Sequence, residues 1–174
     1  MEIKELYKRI REFTIAATGY AGSKVVFANQ LSNARPKKPF ITIELKDFKN
    51  IGTPSVSTLH NTGQHDLTIS MRATASFNSY ADKVHAAEDA LETLHIKLYS
   101  ELSNDIFKGE IAARNALLKT TAIPKALNEQ NESRSILEVE IGFNKTTSYT
   151  GSLIETVIVD SVVNDYNQEL VIEK

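Results

Sequence analysis

His85, Glu88, Glu92 and His95 are the residues whose types and spacing come closest to a reactive site. At 100° per residue they fall within an arc of roughly 80° on a single helix, and two imidazoles with two carboxylates form a donor set that zinc accepts. The axial spacing argues against a shared ion. His85 and His95 stand ten residues apart, about 15 Å along a helix axis, which no single metal can bridge. The solvated face of an amphipathic helix explains the same residues, since such faces are ordinarily rich in charge.

Gly19-Tyr20-Ala21-Gly22-Ser23-Lys24 imitates the end of a phosphate-binding loop. It has two residues between its glycines where the loop needs four, and it precedes a strand, so it lacks the helix N-terminus whose N–H groups hold phosphate. A helix C-cap and turn is the better reading. No Gly-x-Ser-x-Gly elbow, zinc-protease helix motif or nucleotide fingerprint occurs. His60 and His65 fall in or beside a polar loop, with Asp66 the nearest carboxylate in sequence. The reading is therefore of a non-enzyme with no metal and no cofactor, a small metal-dependent hydrolase being the alternative from a different class.

A more distinctive stretch is Val25-Val26-Phe27-Ala28-Asn29-Gln30, then Arg35-Pro36-Lys37-Lys38-Pro39, then Phe40-Ile41-Thr42-Ile43-Glu44-Leu45. Two β-type runs flank a rigid cationic ledge. The ledge could grip a phosphate or a neighbour's acidic segment, or its charges could simply guard the edge of the following strand. Three cations alone attract a polyanion weakly. The acidic C-terminal segment, with Glu155, Asp160, Asp165, Glu169 and Glu173, favours a contact between subunits in which Lys37 and Lys38 face Glu169 and Glu173 of another copy. In this reading Asn29 and Gln30 satisfy backbone groups at a turn, while Pro36 and Pro39 fix the entry of the next strand.

The composition is that of a globular protein: 174 residues, 41% apolar, 24% charged and no cysteine. That length supports one sizeable core, and the absence of cysteine excludes disulfides and thiolate metal sites. A net charge of −2 argues against non-specific nucleic-acid binding. The charge is uneven: residues 1–50 hold ten Lys/Arg against five Asp/Glu, and the remainder ten against seventeen. In an oligomer such a split places opposite signs on complementary faces. The charged N-terminus does not resemble a signal peptide, and no run approaches the roughly 18 apolar residues of a membrane span. A soluble protein made in the cytoplasm is expected.

The elements that must position these residues follow from periodicity. Ile3, Leu6, Tyr7, Ile10, Phe13 and Ala17 predict a helix over 2–17. Strands are predicted at Val25–Ala28 and Phe40–Phe48, with a mobile loop over 49–64 around Gly52, Pro54 and Gly63. Leu67, Ile69, Met71, Ala73, Ala75 and Phe77 alternate with Asp66, Thr68, Ser70, Arg72, Thr74 and Ser76, a half-buried strand. Ser79 and Asp82 suggest a capping box opening one long helix from Tyr80 to Leu102, buried along Val84, Ala87, Leu91, Leu94, Leu98 and Leu102. A helical turn near Asp105–Lys108, a weak strand at Leu117–Ile123 and a polar turn at Asn128–Ser133 come next. Leu137, Val139, Ile141 and Phe143 mark a second alternating strand, Leu153–Val159 a more central one, and Leu170–Glu173 a possible edge strand.

The expected fold is α+β: a mainly antiparallel sheet with two principal helices packed on one face. Residues 1–160 form the domain and 161–174 an acidic extension. The alternating strands run about 13–15 residues, roughly 45–50 Å each, more than twice the usual length. Strands this long bend or project as β-hairpin arms that pair with a neighbour. Their length is an argument for oligomerisation.

Val26-Phe27-Ala28-Asn29-Gln30, Arg35-Pro36 and Pro39-Phe40-Ile41-Thr42-Ile43 resemble the neck or tail terminator proteins of tailed bacteriophages. The resemblance extends to the long strand ending at Phe77, Tyr80-Ala81-Asp82, Ser133-Arg134-Ser135-Ile136-Leu137-Glu138-Val139 and Leu153-Ile154-Glu155-Thr156-Val157, and so covers roughly residues 2–160. Two departures stand out: Phe27 where the family pattern leads one to expect Trp, and a longer extension after Val159. The resemblance implies a structural virion protein at the neck, assembled in the host bacterial cytoplasm. It implies a hexameric ring that caps the tail tube, meets a neck or connector protein and lets DNA pass without sequence-specific binding. A tube or head–tail adaptor subunit is the nearest alternative. Asp66 and Arg72, on the polar face of Asp66–Ser76, and the loop from Asn50 to Gly63 are then candidate contacts with subunit, tube or lumen.

Overall fold

The computed structural model describes residues 1–30, 35–59, 64–83, 85–120, 133–150, 157–163 and 166–172; for 30, 58–59, 118–120 and all positions from 157 onward it describes the backbone alone. Val84 of the expected buried helix stripe, positions 121–123 of the expected Leu117–Ile123 strand, the Asn128–Ser133 turn up to Glu132, positions 153–156, His60 and Glu173 lie outside these residues.

Helix α1 spans Ile3–Thr18 and buries Leu6, Ile10, Phe13, Thr14 and Ala17 along one face, as the periodicity predicts. Gly19 ends it in the left-handed region at φ 72°, where glycine carries no Cβ penalty, and its N–H closes on the Ile15 carbonyl. Buried Thr14 returns its hydroxyl to the Ile10 carbonyl at 2.8 Å, so burial leaves no donor unsatisfied. Lys97 donates to the Ala17 carbonyl at 2.7 Å, placing a cation at the negative end of the helix.

Five strands form one sheet in the order β1-β2-β3-β5-β4: β1 Val25–Phe27, β2 Phe40–Leu59, β3 Gln64–Ala81, β4 Ile111–Thr120 and β5 Ser133–Thr150. The sheet is mixed. β1 runs parallel to β2, pairing Val25, Val26 and Phe27 with Ile41, Thr42 and Ile43, because the intervening segment is long enough to return the chain to the same end. β4 and β5 are antiparallel. A separate two-stranded antiparallel sheet joins β6, Val157–Val163, to β7, Tyr166–Ile172. The part of the expected central strand that is described, Val157–Val159, thus pairs with its sequence neighbour and lies outside the large sheet. Two residues separate the strands, and such short-range hairpin closure competes well with distant pairing.

Two further expectations are corrected. The loop predicted over 49–64 is strand as far as Leu59. Gly52, at φ 74°, absorbs a backbone irregularity that a side chain resists, while Thr53, Val56 and Thr58 are β-formers. The single long helix is two: α2 Ala86–Lys97 and α3 Glu101–Phe107. Ser79 does not cap a helix but lies fully buried in β3. Packing outweighs the capping signal, since Tyr80 stacks on Phe40 at 4.7 Å and Ala81 is buried. At the break, the Ser100 hydroxyl donates to the Lys97 carbonyl and the Ser103 hydroxyl to the Ser100 carbonyl, both at 2.8 Å, a local alternative to the helical ladder.

The chain divides into two compact units. One comprises Met1–Pro54 and Thr68–Thr146, the other Ser55–Leu67 and Thr147–Lys174. The first holds the core: Leu6, Ile10, Phe13 and Ala17 of α1, Leu91 and Leu94 of α2, Phe107 of α3, and odd-numbered residues of β2, β3 and β5, including Ile41, Ile43, Ala73, Ala75, Phe77, Leu137, Val139 and Ile141. Period-two alternation sends these side chains to the helix-covered face and their even-numbered neighbours to the other. In the second unit Ser148 donates to the Asp66 carboxylate, His65 stacks on Tyr149 at 5.2 Å, and β6 pairs with β7.

Candidate functional site

The cationic ledge sits between β1 and β2, tied down from both sides. Arg11 of α1 donates to the Gly22 carbonyl at 2.7 Å and the Val25 carbonyl at 3.0 Å, which fixes the turn Gly22–Lys24 leading into β1. From that turn Lys24 donates to the Lys37 carbonyl. Lys38 pairs with Asp82 at 3.3 Å. Arg35 and Lys37 have exposed side chains. Asn29 is exposed on the helical turn Ala28–Gln30 that follows β1. It borders a cavity of about 260 Å³ with Tyr7, Ala28, Ile43, Glu44 and Leu45. The ledge thus precedes the paired stretch of β1 and β2, and this cavity lies just past it.

The other candidates lie elsewhere. Arg72, on the open face of β3, pairs with Glu140 of β5 at 3.2 Å. Around it runs a lattice of cross-strand polar contacts: Lys46 to Glu138 at 2.8 Å, Ser70 to Asn144 at 2.9 Å and Thr68 to Thr146 at 3.0 Å. The Glu138 carboxylate, by accepting a hydrogen bond from Lys46, pushes the lysine above its ordinary pKa. At the far end Arg134 donates to Asn78 at 3.1 Å and lies over the Tyr80 ring, 5.2 Å from its centroid. Asp66 belongs to the second unit, bonded to Ser148. Glu169 is on β7. The structure therefore places Lys37 and Lys38 beside the start of β1 and β2, Asn29 past the end of β1, and Arg72 on the open face of the sheet.

Lys46, Ser70, Glu138, Glu140 and Asn144 were not picked out from the sequence. The alternation of Glu138 and Glu140 with apolar residues placed them on an exposed face, but partner choice depends on inter-strand register, which alternation leaves open.

The helix histidines do not converge. His85 precedes α2 in the left-handed region and contacts Glu88 at 3.2 Å, whereas His95 packs edge-on against Tyr99 with ring centroids 5.8 Å apart. Among the described residues no group of three or more His, Cys, Asp or Glu side chains is placed to hold a metal ion. The Gly19–Lys24 segment is a helix cap followed by a short helical turn. No helix among the described residues is long and apolar enough to cross a membrane.

What this arrangement offers is contact surface: an extended sheet edge, an exposed cationic ledge and a charge-paired face. Compared with known families, the chain matches the model of the phage neck terminator protein over residues 4–169. A search of curated proteins finds no match.

Proposed function

Because this chain belongs to the phage neck terminator protein family, we propose that it is a ring-forming subunit that caps the tail tube and joins it to the head–neck connector. Membership makes it a structural protein of the virion neck. The observation that carries the proposal is the family match over 4–169, nearly the whole chain. The finer reading is that several copies, six by resemblance, close head to tail. Heterologous contacts close into rings when the rotation per subunit allows it. One rim meets the last tube ring, the other meets a neck protein, and DNA passes through the centre.

The charge-paired face supports a passage that does not hold DNA. Lys46 and Arg72 are each neutralised by a glutamate on β5, and a lumen that released DNA freely would avoid unpaired cations.

For the subunit contact, the proposal places the ledge of Arg35, Lys37 and Lys38 against the acidic segment bearing Glu169 and Glu173 of the next copy, with Asn29 and Gln30 bordering the contact and Asp66 and Arg72 turned toward tube or lumen. Since Lys38 already pairs with Asp82, Lys37 is the stronger half of the pair. A Lys37→Glu/Lys38→Glu variant is expected to lose assembly in light scattering, and mixing it with a Glu169→Lys/Glu173→Lys variant is expected to restore it. Unchanged assembly of both variants alone would sink this contact.

A further inference from the structure

β1 covers only Ile41, Thr42 and Ile43 of β2 before the chain turns away at Ala28. From Glu44 to Pro54 the same edge of β2 has no strand partner among the described residues, since its other neighbour is β3 alone. At the opposite end of the sheet, β4 is terminal, and its outer edge over Ile111–Thr120 has no strand partner among the described residues. Open edges of this length are templates for pairing with another chain.

β4 also carries a bulge that changes which of its side chains are exposed. Its register against β5 shifts between Arg114 and Leu117, so that Asn115 and Ala116 together oppose one residue, and Asn115 lies at φ 48°. Such a bulge re-aims the side chains beyond it. Ile111 and Ala113 face the core before the shift, Ala116 faces it afterwards, and Leu117 is turned out with 52% of its surface exposed. A strained position has been used to present a leucine to solvent.

We infer that β4 of one copy adds to the open edge of β2 in a second copy, in parallel, taking up the line of β1 where β1 leaves it. This rests on the ring reading above and specifies which surfaces meet. Matching core-facing with core-facing positions sets the register. Ala113 falls beside Leu45, at the cavity lined by Tyr7, Ala28 and Asn29. Ala112 falls opposite Glu44, and Arg114 opposite Lys46, next to Asp47, which lies at φ 56° and is exposed. Leu117 then falls opposite Lys49, one diagonal step from Ile51, which is itself 42% exposed; diagonal neighbours remain within reach of long side chains. A charge pair, Arg114 with Asp47, and an apolar pair, Leu117 with Ile51, are thus made in one register. The contact is heterologous, which is what ring closure demands.

The chain has no cysteine, so engineered thiols report this contact cleanly. Glu44 and Ala112 are both exposed, and residues directly opposite in a ladder lie at a spacing a disulfide can span. A Glu44→Cys/Ala112→Cys variant, oxidised under native conditions, is expected to run as a ladder of covalent multimers in denaturing gels, while each single-cysteine variant stays at the single-chain position. Leu117→Asp is expected to weaken self-association by about tenfold or more, as loss of a central apolar anchor does. Assembly in light scattering without a ladder would overturn the edge pairing and leave the ring reading standing. Dimers from either single-cysteine variant would replace it with an isologous contact. Neither assembly nor ladder at any concentration would overturn both.

Discussion

Phe13→Ala is expected to lower the free energy of unfolding by about 3–5 kcal/mol. The Phe13 side chain is fully buried and its ring centroid stands 5.1 Å from that of Phe107. It is therefore an apolar link between α1 and α3 in the core. Truncation removes apolar area from the core and leaves a space that the surrounding β-strands, fixed by their ladders, cannot close. Domains of this kind are stable by only about 5–15 kcal/mol, so the variant sits close to the threshold of folding. Urea denaturation checks the value: the midpoint should fall while the slope stays constant. A loss below about 1 kcal/mol would show that α3 is not held through Phe13.

Arg9→Ala has the next largest expected effect, a loss of about 1.5–3 kcal/mol, the range for hydrogen bonds to charged groups. Arg9 is 12% exposed and joins three groups: Glu5 at 3.0 Å, Glu110 at 3.1 Å and the Phe107 carbonyl at 3.1 Å. The last contact satisfies a carbonyl at the C-terminal end of α3, where a cation is favourable. The guanidinium, hydrogen-bonded to Glu5, also holds that carboxyl below its ordinary pKa, against a smaller opposing effect of burial. The sign follows from linkage. A carboxyl with a depressed folded-state pKa adds stability above its unfolded value, about 4.3 for glutamate, and loses it as pH falls through the folded value. The wild-type chain should therefore lose stability as pH falls from about 4.3 through the folded value, and Arg9→Ala should flatten part of that fall. Thermal unfolding of both chains between neutral and acid pH measures it; parallel curves would remove Glu5 from the account.

Much of the fold was legible because burial imposes a period. α1 could be read from Leu6, Ile10, Phe13 and Ala17, and β5 from Leu137, Val139, Ile141 and Phe143, since each set lines one face of its element and that face is the core. Where several forces compete, the period misleads. Ser79 and Asp82 carry a capping signal, but Tyr80 and Ala81 gain more from the sheet, and the helix starts later, at Ala86. Gly52 and Pro54 read as loop, although an exposed strand tolerates both when neither must donate to a buried ladder. The parallel pairing of β1 was invisible, because orientation depends on the path of the connection and not on the strand's own residues.

The candidate site divides in the same way. The exposure of Arg35 and Lys37 followed from a charged, proline-bounded loop. The pairing of Arg72 with Glu140 and of Lys46 with Glu138 did not, because it depends on register across three strands. Least legible was Leu117. By strict alternation from Ile111 and Ala113 it belongs in the core, and only the bulge at Asn115 reverses it. Asn is among the residue types that accept the left-handed region, which is the one sequence-level trace of that reversal.

A ring at the virion neck can be seen directly by imaging the purified virion. Cryo-microscopy of the neck, with this chain fitted to the density, should show a closed ring of copies between the end of the tail tube and the head connector, with β4 of each copy beside β2 of the next. Finding the chain repeated along the tube, or absent from the neck altogether, would contradict it.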